Sequence, residues 1–483
     1  MIDVVFGLDV EDVYNPESDD ALLNLCRIFA AEDLQLCLFT AGEKARVMRQ
    51  RGRKDVIEAM RRHEICYHGN YWGDFPEPAV RYGARLTFDE AVSLALSVES
   101  KGLHDVAEIT GQFPVAWCCH QAQQSLPMQY AMKLAGVRCW AGGPRGWLMN
   151  WLSWPRSGCT VSLQGDWNME VDPLDRDRLK PPADPAADLK AAQAAFENLA
   201  AQKEFISFVG HPVCWVMSNW GGLYHYATLF RSGTAGPYPR PRITAPSHPR
   251  SQADREAALE FVRKLLRWIK TRKDVNLTTY ARLCKRDEED PVLWITRPQM
   301  LKLAGRVRDK LDAVVDCGTS FSPADILGML IFSVDYMWNH GKWPADIPVQ
   351  RLLGPTERPL SHAGRVTIDR RSLIAGCLAA NSIMMDERRI PAKLRASRVD
   401  LGPSGLLFLL AEFVLKAEKD GALPEEVGIE SPPDLPGVVE TSIIKDRRFG
   451  SSNMPPDWDM TPLWDMLRWQ SWSYRPAVPG RTE

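Results

Sequence analysis

The chain opens on an apolar run, residues 2–8 (IDVVFGL), that stops at Asp9, Glu11 and Asp12. A short run with so few polar breaks reads as a strand buried on both faces, the habit of parallel sheets. A helical pattern follows from Ser18 to about Glu32, with apolar positions 22, 25, 26, 28 and 29 on one side. The alternation then continues. Strands are predicted at 34–39, 64–67, 115–119, 137–140, 160–163 and 205–209. Helices are predicted at 41–51, at 55–62, from Thr87 to Gly111 and after Pro127. Thr87 and Glu90 have the spacing of a capping box, and Pro127 and Gly136 that of a helix start and stop. A helix at 251–273 and a short strand near 275–278 close this half. Such alternation over residues 1–285 predicts an α/β fold with a parallel sheet.

From about residue 291 the texture becomes mainly helical, with short extended pieces and a duplicated unit. Ser322-Pro323-Ala324-Asp325 opens a helix that ends at Gly341, and Ser404 opens another that ends at Gly421. Each glycine is followed three residues later by proline and then an acid, a strong stop. The units span about 322–350 and 404–430, inside a second domain of 291–483. The tail carries Trp458, Trp464, Trp469 and Trp472. Because exposed Trp is costly, it is expected to pack back as a final helix.

Composition removes several function classes. Charged residues are 25% and apolar residues 45% of the 483, an ordinary globular balance. The formal net charge of −2, with no basic block, argues against nucleic acid or an anionic membrane as the main partner. No apolar run approaches the ~18 residues of a membrane span. The first residues lack the basic stretch of a secretion signal. The 11 cysteines are scattered without a CxxC pair. The chain therefore reads as cytoplasmic, with reduced thiols.

The chemistry gathers at strand ends. Asp12, His68, His120, Asp166 and His211 each follow a predicted strand, where barrel enzymes build their sites. Asp9, Glu11 and Asp12 repel one another unless one holds a proton or a cation sits among them. A metal with an adjacent carboxylate base is one reading; acids at a helix N-terminus are the other. Cys118 and Cys119 are adjacent on a strand, so at most one points inward, and a thiol nucleophile beside His120 is a further option. His63 and His104 fall in helix or helix-end patterns and read as surface residues. The aromatics Tyr71, Trp72, Trp167, Trp215 and Trp220 suit either sugar stacking or core packing.

The ordered series LDVED, HEICYHGNYWGDF, TGQFPVAWCCHQ, GDW and FVGHP resembles the polysaccharide deacetylases, carbohydrate esterase family 4 with nodulation-protein-B homology. The resemblance implies a distorted (β/α)7-type barrel over about residues 1–280. It implies a metal, usually zinc (Zn2+), and removal of N- or O-acetyl groups from chitin-like or peptidoglycan-like sugars. It makes Glu11 the base and Asp12 a metal ligand or, shifted, Asp9 the base and Glu11 the ligand. His68 matches a metal-ligating histidine, and His211 the acid that protonates the leaving amine. Trp72 stands where the family has its second ligating histidine. Glu11, Asp74, His120 or His225 would then have to supply a third ligand. Gln112 falls in the motif where an arginine orients the base. Trp72, Tyr71, Gln112, His120, Asp166 and Trp167 are expected to line the substrate pocket. The function implied is metal-dependent hydrolysis of an acetamido or similar C–N bond on a sugar or small soluble substrate. The alternative is an altered barrel kept as a glycan-, ligand- or partner-binding subunit. The helical units resemble pseudomurein-binding-type repeats, which implies glycan or partner binding; homo-oligomerisation is the other use.

Overall fold

The computed structural model describes residues 1–71, 86–118, 126–141, 147–149, 159–162, 185–201, 205–218, 248–283, 293–440, 459 and 461–476. Trp72, His120, Asp166 and Trp167, all expected at the pocket, lie outside the described residues, as do Asp74, Trp220 and His225.

Strand β1 (Ile2–Val10) is central, between β2 (Cys37–Thr40) and β8 (Phe205–Val209). Beyond β2 lie β3 (Glu64–Tyr67), β4 (Ala116–Trp117) and β5 (Cys139–Trp140); beyond β8 lies β7 (Cys159–Ser162). The eighth strand of this sheet, β9 (Val275–Leu277), pairs with the start of β1. All these pairings are parallel. Crossovers between parallel strands need helices. They are supplied by α1 (Glu17–Ala31), α2 (Gly42–Gln50), α3 (Lys54–Met60), α4 (Phe88–Thr110), α5 (Leu126–Leu134), α6 (Pro185–Ala200), α7 (Pro212–Val216) and α8 (Gln252–Lys270). This is the curled, parallel (β/α) arrangement expected of the first half.

The two faces of β1 have different fates because strand side chains alternate. Val4, Phe6, Leu8 and Val10 join the large core under the helices. Val5 faces the other way, into an inner group with Cys37, Phe39, Cys66, Ala116, Phe205 and Tyr280. Stepping two residues along these strands from that group reaches Asp9, His68, Cys118 and His211 at the C-terminal mouth. Gly7 lies on the same face. A Cβ there would meet the Phe39 ring at 3.2 Å and the Phe208 carbonyl at 3.1 Å, so the ring fills the floor beneath Asp9 only because residue 7 is glycine.

The second half is a repeat longer than the pattern predicts. Strand 294–296, helix 297–309, hairpin 314–321, helix 323–340 and strand 346–348 recur as 366–369, 370–387, 394–401, 403–420 and 426–429. In each copy the first and last strands pair antiparallel. Ser322 and Asp325 form a capping box, and Gly341 ends that helix at φ 65°. In the second copy Gly402 is the N-cap and Pro403 the first helical residue, so the start lies just before Ser404. The tail is a helix, Thr461–Trp469, followed by a 3-10 turn and a strand, Tyr474–Pro476. That strand returns to the first half and pairs antiparallel with β6 (Trp147–Met149). No helix among the described residues is long and apolar enough to cross a membrane.

Candidate active site

Four side chains meet at the mouth. Asp9 is the last inward residue of β1, and Glu11 follows in the same parity. His68 leaves the end of β3, and His211 the end of β8. The Nε2 atom of His68 lies 3.1 Å from Glu11 Oε2 and 3.7 Å from Asp9 Oδ2. The Nε2 atom of His211 lies 3.4 Å from Asp9 Oδ2 and 3.4 Å from Glu11 Oε1. Each imidazole thus faces both carboxylates. His68 and Glu11 are the buried pair, at 2% and 6% side-chain exposure, whereas Asp9 and His211 are more open, at 13% and 27%.

This arrangement sets the charge of the imidazoles. Burial alone works against an imidazolium, but the Asp9 charge and the hydrogen bond and charge of Glu11 outweigh it, so His68 is raised above the ordinary histidine range. Burial likewise opposes the charged form of His211, and the hydrogen bond and charge of Asp9 with the charge of Glu11 overcome it.

The other face of His68 is also held. Its Nδ1 atom lies 3.2 Å from the Cys118 carbonyl and 2.9 Å from the Cys118 thiol. Donation from Nδ1 to the carbonyl orients the ring with Nε2 toward the carboxylates, the position from which it would ligate an ion. The same thiol lies 4.0 Å from Asp9 Oδ1. Of the adjacent pair 118 and 119, Cys118 is therefore an inward residue.

The loop bearing His68 is pinned from behind by α4. The Glu99 carboxylate accepts from the Tyr67 hydroxyl at 2.6 Å and from the Asn70 backbone N–H at 2.8 Å. The Asn70 amide donates to the Val98 carbonyl at 2.7 Å and accepts from Arg46 at 2.9 Å. Arg46 in turn pairs with Asp105 at 2.7 Å. Close approach needs glycines. A Cβ on Gly102 would stand 2.3 Å from the Tyr67 hydroxyl and 2.7 Å from the Asn70 Cα, and one on Gly42 would stand 2.7 Å from the Gly102 Cα.

Three readings from the sequence are corrected. Asp12, expected as a metal ligand, caps its own loop. Its carboxylate accepts from the Tyr14 and Asn15 backbone N–H groups at 3.2 Å each and from the Asn15 side chain at 3.0 and 3.1 Å. Lys44 holds that loop in place by donating to the Asp12 carbonyl at 2.6 Å, Ser18 Oγ at 2.9 Å and Asp19 Oδ1 at 2.5 Å. The carboxylates that face the imidazoles are therefore Asp9 and Glu11, the shifted match. Gln112 lies at the other end of the strands, where its amide donates to the carbonyls of Arg61 and His63 at 2.8 and 3.1 Å. His63, expected at the surface, is buried: Nδ1 accepts from the Leu36 N–H at 3.2 Å, and Nε2 lies 3.0 Å from the Cys26 carbonyl. Tyr71 is half-buried, with the Arg46 guanidinium 5.3 Å over its ring.

Nitrogen and oxygen donors bound tetrahedrally to one ion at 2.0–2.1 Å stand roughly 3.3 Å apart. The four imidazole–carboxylate separations lie near that value pair by pair. Asp9, His68 and Cys118 also offer an oxygen, a nitrogen and a sulfur within 4.8 Å of one another.

No family model and no curated protein matches the chain. Solved structures similar to it include a protein assigned as a polysaccharide deacetylase from Mycobacterium smegmatis. That one is 13% identical at a TM-score of 0.35, over 60% of this chain and 91% of the other. The Puue allantoinase is 15% identical at 0.35, over 59% and 89%. A family 4 carbohydrate esterase from Streptomyces lividans is 12% identical at 0.29, over 58% and 91%. The first half of this chain is a distorted parallel (β/α) barrel whose carboxylate–imidazole cluster stands at the strand ends, where barrels of this kind do their chemistry.

Proposed function

We propose that the chain is a hydrolase of the polysaccharide deacetylase type, dependent on a divalent metal of the zinc class. Its reaction is cleavage of an acetamido or similar amide-like C–N bond on a sugar or other small substrate. The observation that carries this reading is the pair of imidazoles, each facing both carboxylates at 3.1 to 3.7 Å. The ordered sequence motifs, whose histidines 68 and 211 fall in that cluster, support the same reaction class.

The more buried pair, Glu11 and His68, is assigned to hold the ion. When bound, the ion supplies Lewis-acid polarisation of the acyl carbonyl and makes water easier to deprotonate. Asp9, more open and adjacent, takes the proton of the attacking water as oxygen adds to the carbonyl carbon. His211, whose proton its carboxylate neighbours favour, gives that proton to the nitrogen as the C–N bond breaks. Asp9 then returns its proton to His211 across the 3.4 Å between them, which restores both groups. Acetate and a free amine leave.

Acetate release from N-acetylated chito-oligosaccharides tests the reading. Asp9→Asn should lower the rate by about 10²–10⁴-fold, the usual worth of a general base, while leaving metal uptake in place. Undiminished turnover in Asp9→Asn would remove the assigned base. No acetate release from these or smaller acetamido substrates by metal-loaded protein would remove the reaction.

A further inference from the structure

We propose that Cys37, Cys66 and Glu64 form a second metal site, for a soft divalent ion of the zinc class, buried beneath the mouth on the inward face of β2 and β3. The placement follows from register. Cys37 pairs with Glu64 across β2 and β3, and Cys66 is two residues further along β3, on the same inward face. His68 is two residues further again. At about 3.3 Å of rise per residue, Cys66 lies roughly 7 Å and Glu64 roughly 13 Å below His68. The two clusters are separate.

The three donors lie within 4.8 Å of one another and all are buried. Glu64 Oε1 is 3.4 Å from the Cys37 sulfur and 3.7 Å from the Cys66 sulfur. A tetrahedral ion with sulfur at 2.3 Å and oxygen at about 2.0 Å sets its sulfur and oxygen ligands roughly 3.5 Å apart. The backbone of Tyr280 hydrogen-bonds Cys37, and that of Ala116 hydrogen-bonds Cys66. The other oxygen of Glu64 accepts the Ala281 N–H at 2.8 Å, which leaves Oε1 aimed at the sulfurs.

Without an ion the cluster is poorly matched. Among the described residues no Lys, Arg or His pairs with the Glu64 carboxylate, and its side-chain partners are two thiols, which are weak donors. Binding is a ligand exchange: two S–H bonds break, two metal–sulfur bonds form, and two protons leave to solvent. No electron moves. Three protein ligands leave the fourth position to water. The ion would tie β2 and β3 to the helical turn at 280–283, whose Ala281 N–H binds Glu64 and whose Tyr280 packs on Phe39 and lies 3.1 Å from the Ser207 hydroxyl.

The test uses the full chain in a His68→Ala, Cys118→Ser background, which removes the mouth's nitrogen ligand and its thiol. Cobalt(II) replaces the resident metal under reducing conditions. The expected result is one tightly held equivalent, a thiolate-to-cobalt charge-transfer band, and two protons released per ion. Adding Cys37→Ser and Cys66→Ser should abolish all three. Should that variant fail to fold, adding the near-isosteric Glu64→Gln alone should weaken binding at least 10-fold. No thiolate band in the background protein, or a band and stoichiometry unchanged by either set of substitutions, would overturn the proposal. Retention of two equivalents in the background would count against the mouth assignment instead, so the two failures are distinguishable.

Discussion

At the scale of single residues, His63 shows how burial turns a histidine into a pH-dependent liability. It is held neutral between the Leu36 N–H and the Cys26 carbonyl, and burial lowers its pKa from 6.5. The unfolded chain takes up the proton first as pH falls, so folding stability is complete above about pH 6.5 and is lost below it, down to the depressed native value. His63→Gln should therefore cost about 1–3 kcal/mol at pH 7.5, the penalty of an unmatched buried polar group. The gap to the parent should narrow at pH 5.5. Urea denaturation at both values checks this, and a constant gap would show that His63 does not titrate with folding. The sequence placed this residue at the surface because helix-end spacing says nothing of what packs above it. The mouth was more legible. Asp9, Glu11, His68 and His211 stand at or just past strand ends, and strand parity carries them inward. Asp12 was misread because a short acid after a strand serves equally as a ligand or as a loop cap, and only the position of Asn15 and Lys44 decides. Cys118 was open between two parities.

At the scale of elements, the register of α4 against the His68 loop is the feature on which the site depends. Its capping box, Thr87 with Glu90, and its left-handed stop at Gly111 were readable from local spacing. The contact at Gly102 was not, because mid-helix glycine announces only lost propensity until its neighbour is known. Gly102→Ala places a methyl 2.3 Å from the Tyr67 hydroxyl and 2.7 Å from the Asn70 Cα, and backbone cannot yield as a side-chain tip can. The substitution should destabilise by about 1–3 kcal/mol through overpacking. Because His68 lies between those two residues, it should weaken metal binding at the mouth as well. A fully helical, equally stable Gly102→Ala protein with parental metal affinity would show that the loop is held by other means.

At the scale of the whole molecule, the two halves are joined through the tail. Tyr474, Met466 and Leu467 belong to the core of the barrel half, while Trp472 belongs to that of the repeat. Gln470 acts between them like a strand backbone. Its amide donates to the Gly354 and Pro355 carbonyls at 3.0 and 2.9 Å and accepts from the Gly354 N–H at 3.0 Å. Gln470→Ala strands all three groups in a buried place and should cost about 1–3 kcal/mol. Thermal unfolding should also split into two transitions as the halves uncouple, and a single unshifted transition would contradict that. The tryptophans signalled that the tail packs back, but its destination rests on pairing with β6, a partner more than 300 residues away. The duplication was visible only where Gly-x-x-Pro stops repeat; the strands that open each copy are too short to show a period.

The central claim is that the barrel mouth holds a metal on His68 and Glu11, with Asp9 beside it as the base. Its most direct test is calorimetric titration of metal-stripped full-length protein with Zn2+, parent against His68→Ala, with circular dichroism to confirm that both are folded. The account predicts one fewer tightly bound equivalent in the variant, together with loss of acetate release. Equal stoichiometry and equal affinity in the two proteins would contradict it.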